Sequence, residues 1–213
     1  MTGEARRDLS GWPVNLLVSG RRVVIAGAGR IAARKIEPLL DLGAEVIVIA
    51  PDVGEEVVAW ADQGRLTVID RGFEPSDLDG AWLAVTATGD DGVDAKVFEA
   101  AESRRIWVNS ADDPAHCSFT LMSVVRRAEL VVAIGTGGRS PALAAWLRRR
   151  MAEEMGPEYE TVLDLLSEAR EEMRAAGRSS EDAAWADALD SGLVDLVREG
   201  RVAEAREMLR SCL

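Results

Sequence analysis

A chain of 213 residues, 47% of them hydrophobic, is long enough for one sizeable domain and a smaller companion. Its net charge of −12 argues against nonspecific binding to nucleic acid or anionic membranes, and any strongly anionic ligand would need a local arginine cluster. No apolar run approaches the roughly 20 residues that span a bilayer, the amino-terminal MTGEARRDLSGW lacks the apolar segment of a secretory signal, and Cys117 and Cys212 have neither zinc nor CxxC spacing; a cytoplasmic protein with unpaired thiols is expected.

Arg22–Ala26 reads as the first strand. It ends at Gly27-Ala28-Gly29, and an alanine-rich helical pattern over Ile31–Leu42 follows at once. Strand, tight glycine turn and helix form the opening of a dinucleotide-binding unit. Gly27 permits the sharp bend, Gly29 lets a pyrophosphate approach bare main chain, and Ala32 is small enough for close helix–sheet packing. Arg30 and Ile31 begin the helix whose free N–H groups and positive dipole end then face the anion. A glycine turn of this kind also occurs without a ligand; the order of the flanking elements favours the cofactor. Gly43 caps the helix.

Glu45–Ala50 is unbroken and apolar, as a buried parallel strand should be. A helix over Val53–Asp62, strands at Leu66–Ile69 and Trp82–Thr86, a helix over Val93–Arg104 and a strand at Ile106–Asn109 follow. The alternation predicts an α/β fold, a doubly wound parallel sheet of Rossmann type. Pro51 and Asp52 follow the second strand, where ribose is usually read; Ala50 and Pro51 hold the strand tip, so the usual tip acid is missing. No arginine follows that tip, which favours NAD over NADP. Thr86 and Ala87, with Thr88, end another strand and line the nicotinamide side or form an ordinary polar loop.

The pattern changes after Asn109. Asp112-Asp113-Pro114 breaks regularity, a strand-like stretch covers Ser118–Val125 and a second covers Leu130–Ile134. Gly135 to Ser140 is another glycine-rich turn, with the look of an anion nest. Ser140 suits an N-cap and Pro141 a first helical turn, for a helix running to about Met155. Gly156-Pro157 is a hinge, and the remainder to Leu213 is helical by pattern. Most of the six tryptophans are assigned to core packing.

The segments PVNLLVSGRRVVIAGAGRIAARK, AAESRRIWVNSADDP and AIGTGGRSPALAAWLRRRM together resemble the precorrin-2 dehydrogenase and sirohydrochlorin ferrochelatase family, the amino-terminal part of siroheme synthase. The resemblance covers about residues 12–210, with no methyltransferase half in the sequence, as in the stand-alone form. It implies three parts: an NAD-binding Rossmann domain (1–112), a small α+β dimerisation region (113–145) and a carboxyl-terminal helical domain (146–213). It also implies a homodimer with active sites near the subunit junction; from the net charge, neither nucleic acid nor membrane is expected as a partner. The implied reaction passes a hydride from precorrin-2 to NAD and gives sirohydrochlorin. A second step, insertion of Fe2+ to give siroheme, occurs in some relatives only.

Both steps need a proton acceptor. The resemblance places the family's essential aspartate at Asp112, whereas spacing alone favours an Asx turn of Asp112 and Asp113 before Pro114. Asn109 either orients substrate or cofactor or is a strand-end turn residue. His116, the sole histidine, either meets a proton or metal or is structural. With one histidine and no cysteine pair, a protein-only metal site is not expected. Thr136 falls where relatives carry a serine or threonine of the tetrapyrrole site; Gly137, Arg139 and Ser140 complete that turn. Arg126, Arg127, Arg139 and Arg148 are the candidate cations for the substrate's carboxylates.

Two other readings remain. An NAD(H)-sensing module would need no base, and would leave the TGGRSP segment and the helical tail unexplained. A dehydrogenase of a small acid would need a larger substrate domain than the residues after the first domain provide.

Overall fold

The structure, a computed structural model, describes residues 11–111, 113–179 and 184–212. Strand β1 (Arg22–Ala26) is almost wholly buried and lies at the centre of a parallel sheet. It pairs with β2 (Glu45–Ile49) on one side and β4 (Leu83–Thr86) on the other. β3 (Thr67–Ile69) and β5 (Trp107–Ser110) complete the five-stranded order β3-β2-β1-β4-β5. The register sets Ala26 beside Ile49 and Thr86, Ile49 beside Ile69, and Thr86 beside Ser110, so all five strands finish in one row. In an open parallel sheet that row is where ligands gather.

Both faces of the sheet are covered, which is why its strands read as unbroken apolar runs. Helix α1 (Arg30–Asp41) lays Ala32, Ala33 and Ile36 on Val23, Ile25, Val46, Val48 and Val85. Val57 of α2 (Glu55–Asp62) joins the same cluster. On the other face, Val97, Ala100 and Ala101 of α3 (Asp91–Arg104) meet Val24, Ala26, Ala84 and Val108, with Leu78 from a 3-10 turn over Pro75–Leu78. Each fully buried valine or leucine side chain there contributes about 1.5–3 kcal/mol. α1 ends at Leu42 with Gly43 in the left-handed conformation, φ +74°, and Ala44 N–H donates to Leu39 O at 3.0 Å. Pro38 lies inside α1 and, lacking an N–H, cannot donate to the Arg34 carbonyl one turn earlier.

The chain divides into two compact units after Leu121. In the second, β6 (Ser123–Arg127) and β7 (Leu130–Ile134) form an antiparallel hairpin that packs on α4 (Pro141–Glu154). The Arg127 guanidinium donates to the carbonyls of Met155 at 2.8 Å and Ala152 at 3.0 Å, closing the carboxyl end of α4. α5 (Glu158–Ala175), α6 (Trp185–Ala188), α7 (Val194–Arg198) and α8 (Val202–Cys212) share a core of Val162, Leu165, Leu193, Val197, Ala205 and Leu209. Gly192, at φ +95°, interrupts the run between α6 and α7 within a wide turn over Leu189–Leu193.

Three local expectations are corrected. The strand expected at Ser118–Val125 begins only at Ser123, because Ser118 turns back: its N–H donates to Val108 O at 2.8 Å, and its hydroxyl accepts from Val108 N–H at 2.7 Å. The α2 helix starts at Glu55 rather than Val53, with Gly54 as its N-cap. The tryptophans are mostly not core. Trp12, Trp82, Trp107 and Trp146 are exposed, and the Arg21 guanidinium lies 3.7 Å from the Trp82 ring centroid.

Candidate functional site

The two glycines of the first turn are glycine for different reasons. Gly27 has φ +100°, its N–H donates to Ile49 O at 2.9 Å, and a Cβ there would collide with the main-chain carbonyl of Ala87. It is required by the protein itself. Gly29 has φ −79°, and a Cβ there would meet nothing within 4 Å. Neither backbone nor packing requires glycine at 29, and bare main chain faces open space.

Gly29 is the N-cap of α1, with no side chain capping the first turn and no acid in that turn. The leading N–H donors of α1, including those of Arg30 and Ile31, therefore await an acceptor from outside the helix. An N-terminus with free donors, a positive dipole end and open approach fits a pyrophosphate. Arg30 is exposed there, and so is Ile31 despite its apolar side chain.

The loop after β2 is tied to this turn. Gly54 N–H donates to Ala28 O at 3.1 Å, and a Cβ on Gly54 would lie 2.8 Å from that oxygen. Pro51 and Asp52 are exposed on the loop and line a shallow open depression with Val53, Val68 and Asp70. Glu55 and Glu56 occupy the first turn of α2, so the surroundings of the β2 tip carry carboxylates.

The loop after β4 is organised by a buried carboxylate. Asp94 of α3 accepts through Oδ1 from the hydroxyls of Thr86 and Thr88 (2.6 Å for Thr88) and from Thr88 N–H at 3.4 Å. Thr86 is fully buried, and Ala87 between the two threonines is the residue pressed against Gly27. Thr86 thus serves the loop from below.

Asn109 closes β5. Its Oδ1 accepts from Lys35 Nζ at 2.9 Å, and its amide donates to Phe119 O at 3.1 Å. Buried Cys117 braces the same loop: its Sγ accepts from Ser110 N–H at 3.2 Å and lies 3.3 Å from the carbonyls of Ser110 and Asp113. The Ser110 hydroxyl is buried and finds no partner among the described residues. Asp112, carried by this loop in sequence, lies outside the described residues. Asp113 caps the 3-10 turn Pro114–His116, accepting from Ala115 N–H at 3.0 Å, and its other oxygen is 2.5 Å from His116 Nδ1. The His116 bond holds the Asp113 carboxyl below the usual carboxylate range.

In the second unit, Gly137 and Gly138 both take positive φ, +56° and +69°. Thr136 and Ser140 close the turn on each other: Ser140 N–H donates to the Thr136 hydroxyl at 3.3 Å, and that hydroxyl donates to Ser140 O at 3.2 Å. Ser140 Oγ caps α4 through Leu143 N–H at 3.2 Å. Arg139, Arg126 and Arg148 are exposed, while Arg127 is committed to the end of α4. No cluster of metal-binding side chains occurs among the described residues, nor any helix long and apolar enough to cross a membrane.

Residues 14–123 match a family described as putative NAD(P)-binding. The chain is 31% identical to the siroheme synthase of Nitrosococcus oceani over 203 residues, covering 94% of the chain and 43% of that protein. It is 42% identical to the siroheme synthase of Citrobacter koseri over 147 residues, covering 69% and 32%. The solved structure of SirC, precorrin-2 dehydrogenase, aligns with a TM-score of 0.75 at 27% identity, covering 95% of the chain and 98% of SirC. The chain belongs to the precorrin-2 dehydrogenase family. It spans less than half the length of the curated relatives it matches.

Within this family member, Gly27, Gly29, Arg30 and Ile31 come together at one turn, with Ala87 against it and Pro51 and Asp52 on a loop that touches it at Ala28. Sequence reasoning missed Gly54, Asp94 and Lys35. A glycine opening a helix after a strand is a signal for Gly54. Asp94 and Lys35 had none, since each acts on a partner in another element.

Proposed function

We propose that this chain catalyses the NAD-dependent oxidation of precorrin-2 to sirohydrochlorin. The observation that carries the reading is the likeness to SirC, which extends over both units rather than the dinucleotide-binding unit alone. A cofactor-sensing module would give β6 to α8 no task.

The residues at the glycine turn fit the cofactor. Main-chain N–H groups at the head of α1 would hold the pyrophosphate, and Arg30 would add charge beside it. Asp52 follows the β2 tip, where ribose is usually read, and Asp52, Glu55, Glu56 and Asp70 make the β2 and β3 tips unfavourable to a 2′-phosphate, which supports NAD over NADP. When bound, the nicotinamide supplies the hydride acceptor. Asp112 is the general base for the proton lost from the tetrapyrrole, and Asn109 with Cys117 anchors the loop that carries it. Thr86 and Ala87 shape the nicotinamide side. Thr136, Gly137, Arg139 and Ser140 receive the substrate's carboxylates.

The same base would accept the pyrrole protons displaced when Fe2+ enters sirohydrochlorin, as a second activity of a homodimer. Incubating the purified protein with precorrin-2 and NAD+, then with Fe2+ or Co2+, separates the two steps by their absorbance changes. Asp112→Ala should abolish the oxidation and leave NAD+ binding intact. Full turnover by that variant would remove Asp112 from the mechanism.

A further inference from the structure

We propose that Lys35 is a positioning residue for this reaction: acting through Asn109, it is a strut from α1 that keeps the loop after β5 closed. Its role in the reaction rests on the function proposed above. Three observations support the strut. Lys35 is half-buried on α1, and its ammonium donates to Asn109 Oδ1 at 2.9 Å across 74 residues of chain. Asn109 is buried and both ends of its amide are engaged, since Nδ2 donates to Phe119 O at 3.1 Å and lies 3.6 Å from Cys117 Sγ. Phe119 in turn packs against the cluster to which Ala32, Ala33 and Ile36 of α1 belong.

The strut has a direction. Asn109 and Phe119 stand at the two ends of the loop, ten residues apart, so the bond between them closes it. A carboxamide can be turned either way. With an ammonium on one side only its oxygen is tolerated there, and the NH2 group is left facing the Phe119 carbonyl. Lys35 thus sets the orientation of the side chain that ties the loop's ends. An apolar side chain at 35 would avoid the desolvation of a charge but would leave the amide free to turn.

The place of the loop gives closure its use. β5 ends in the row of strand ends where an open parallel sheet gathers its ligands. Ala111 N–H donates to Thr86 O at 2.8 Å, and Asp113 caps the turn over Pro114–His116. Asp112 falls between these two held residues in sequence. Lys35 itself is assigned no contact with substrate and no proton.

The test uses the whole chain in a Cys212→Ser background, where Cys117 is the remaining cysteine. Cys117 is buried in the closed loop, so its rate of modification by a thiol reagent reads loop opening without substrate. Lys35→Met, Lys35→Arg, Asn109→Ala and the Lys35→Met/Asn109→Ala double variant are compared for that rate, for urea midpoint, for NAD+ affinity, and for kcat and KM of precorrin-2 oxidation. Lys35→Met should label about ten- to a hundredfold faster than the parent, as expected for loss of a hydrogen bond to a charged group. Its kcat should fall about tenfold or more through misplacement of the loop. Its NAD+ affinity should stay within about twofold, because the head of α1 is untouched. Lys35→Arg, which keeps the cation and its donors, should recover part of both rates. The double variant should match Asn109→Ala within about twofold, because the lysine acts only through the amide. Parent-like labelling in Lys35→Met would overturn the strut and leave the proposed function standing. Faster labelling with parent-like kcat would overturn the role in the reaction. Additive losses in the double variant, or labelling that rises only in step with global unfolding in urea, would show general support of the fold and overturn the proposal. A parent protein that binds NAD+ but does not oxidise precorrin-2 would overturn the function and the positioning role with it, whereas the labelling rates still decide the strut.

Discussion

Gly27 and Ala87 are in van der Waals opposition: a Cβ built on Gly27 would strike the Ala87 carbonyl oxygen and come within 2.8 Å of its carbon. The bend after β1 and the loop after β4 are therefore fitted to each other before any cofactor arrives. Gly27→Ala should destabilise the fold by about 2–4 kcal/mol, from strain at φ +100° plus overpacking. Gly29→Ala should cost less than about 1 kcal/mol, since its φ is ordinary and its surroundings empty. Urea midpoints read the first difference. Calorimetry should then show that Gly29→Ala, although folded, binds NAD+ more weakly, and that Gly29→Asp does not bind it. Unchanged affinity in Gly29→Asp would contradict the assigned turn.

Asp94 gathers three donors from the β4 loop on a single buried oxygen. Asp94→Ala leaves those donors without an acceptor and should lower stability by about 2–4 kcal/mol, with a parallel loss of NAD+ affinity. Asp94→Asn keeps an acceptor at the same place and should cost about 1 kcal/mol. Equal effects of the two variants would show that the loop is set by something other than these bonds.

Arg71 makes a two-point contact with Asp77, at 2.6 and 2.9 Å, and Asp77 is 5% exposed in its side chain. The guanidinium holds the Asp77 carboxyl below the usual range. Its contribution is thus present above the unfolded pKa, about 4, and is lost as pH falls through the lower folded value. The parent should lose stability between pH 4 and pH 2 more steeply than Asp77→Asn, about 1 kcal/mol less stable at neutral pH. Denaturation curves across that range check the slope.

The Ser110 hydroxyl is buried without a partner among the described residues. Removing it relieves a desolvation cost without breaking a bond, so Ser110→Ala should leave the urea midpoint unchanged or raise stability by up to about 1 kcal/mol. A clear loss of stability would reveal a bond through water.

The parts of the fold that depend on neighbouring residues were legible in the sequence. The glycine turn, the apolar runs of β1 and β2, and the Ser140–Pro141 start of α4 all declare themselves within a few positions. Contacts between distant segments did not. Ser118 looked like strand until it bonded back to Val108, ten residues away, and Lys35 reaches Asn109 across 74 residues. The tryptophans misled because size and apolarity suggest burial. Trp82 and Trp107, however, stand at the amino ends of β4 and β5, where they are exposed.

β1 is made early and finished late. Its edge toward β2 is satisfied by the segment synthesised next, but its opposite edge waits for β4, beyond a helix, another strand and a 3-10 turn. While the chain is still on the ribosome, Val23 to Ala26 present an apolar row of unpaired peptide groups, a template for pairing with another nascent chain. A pause in translation before Leu83 emerges would lengthen that exposure.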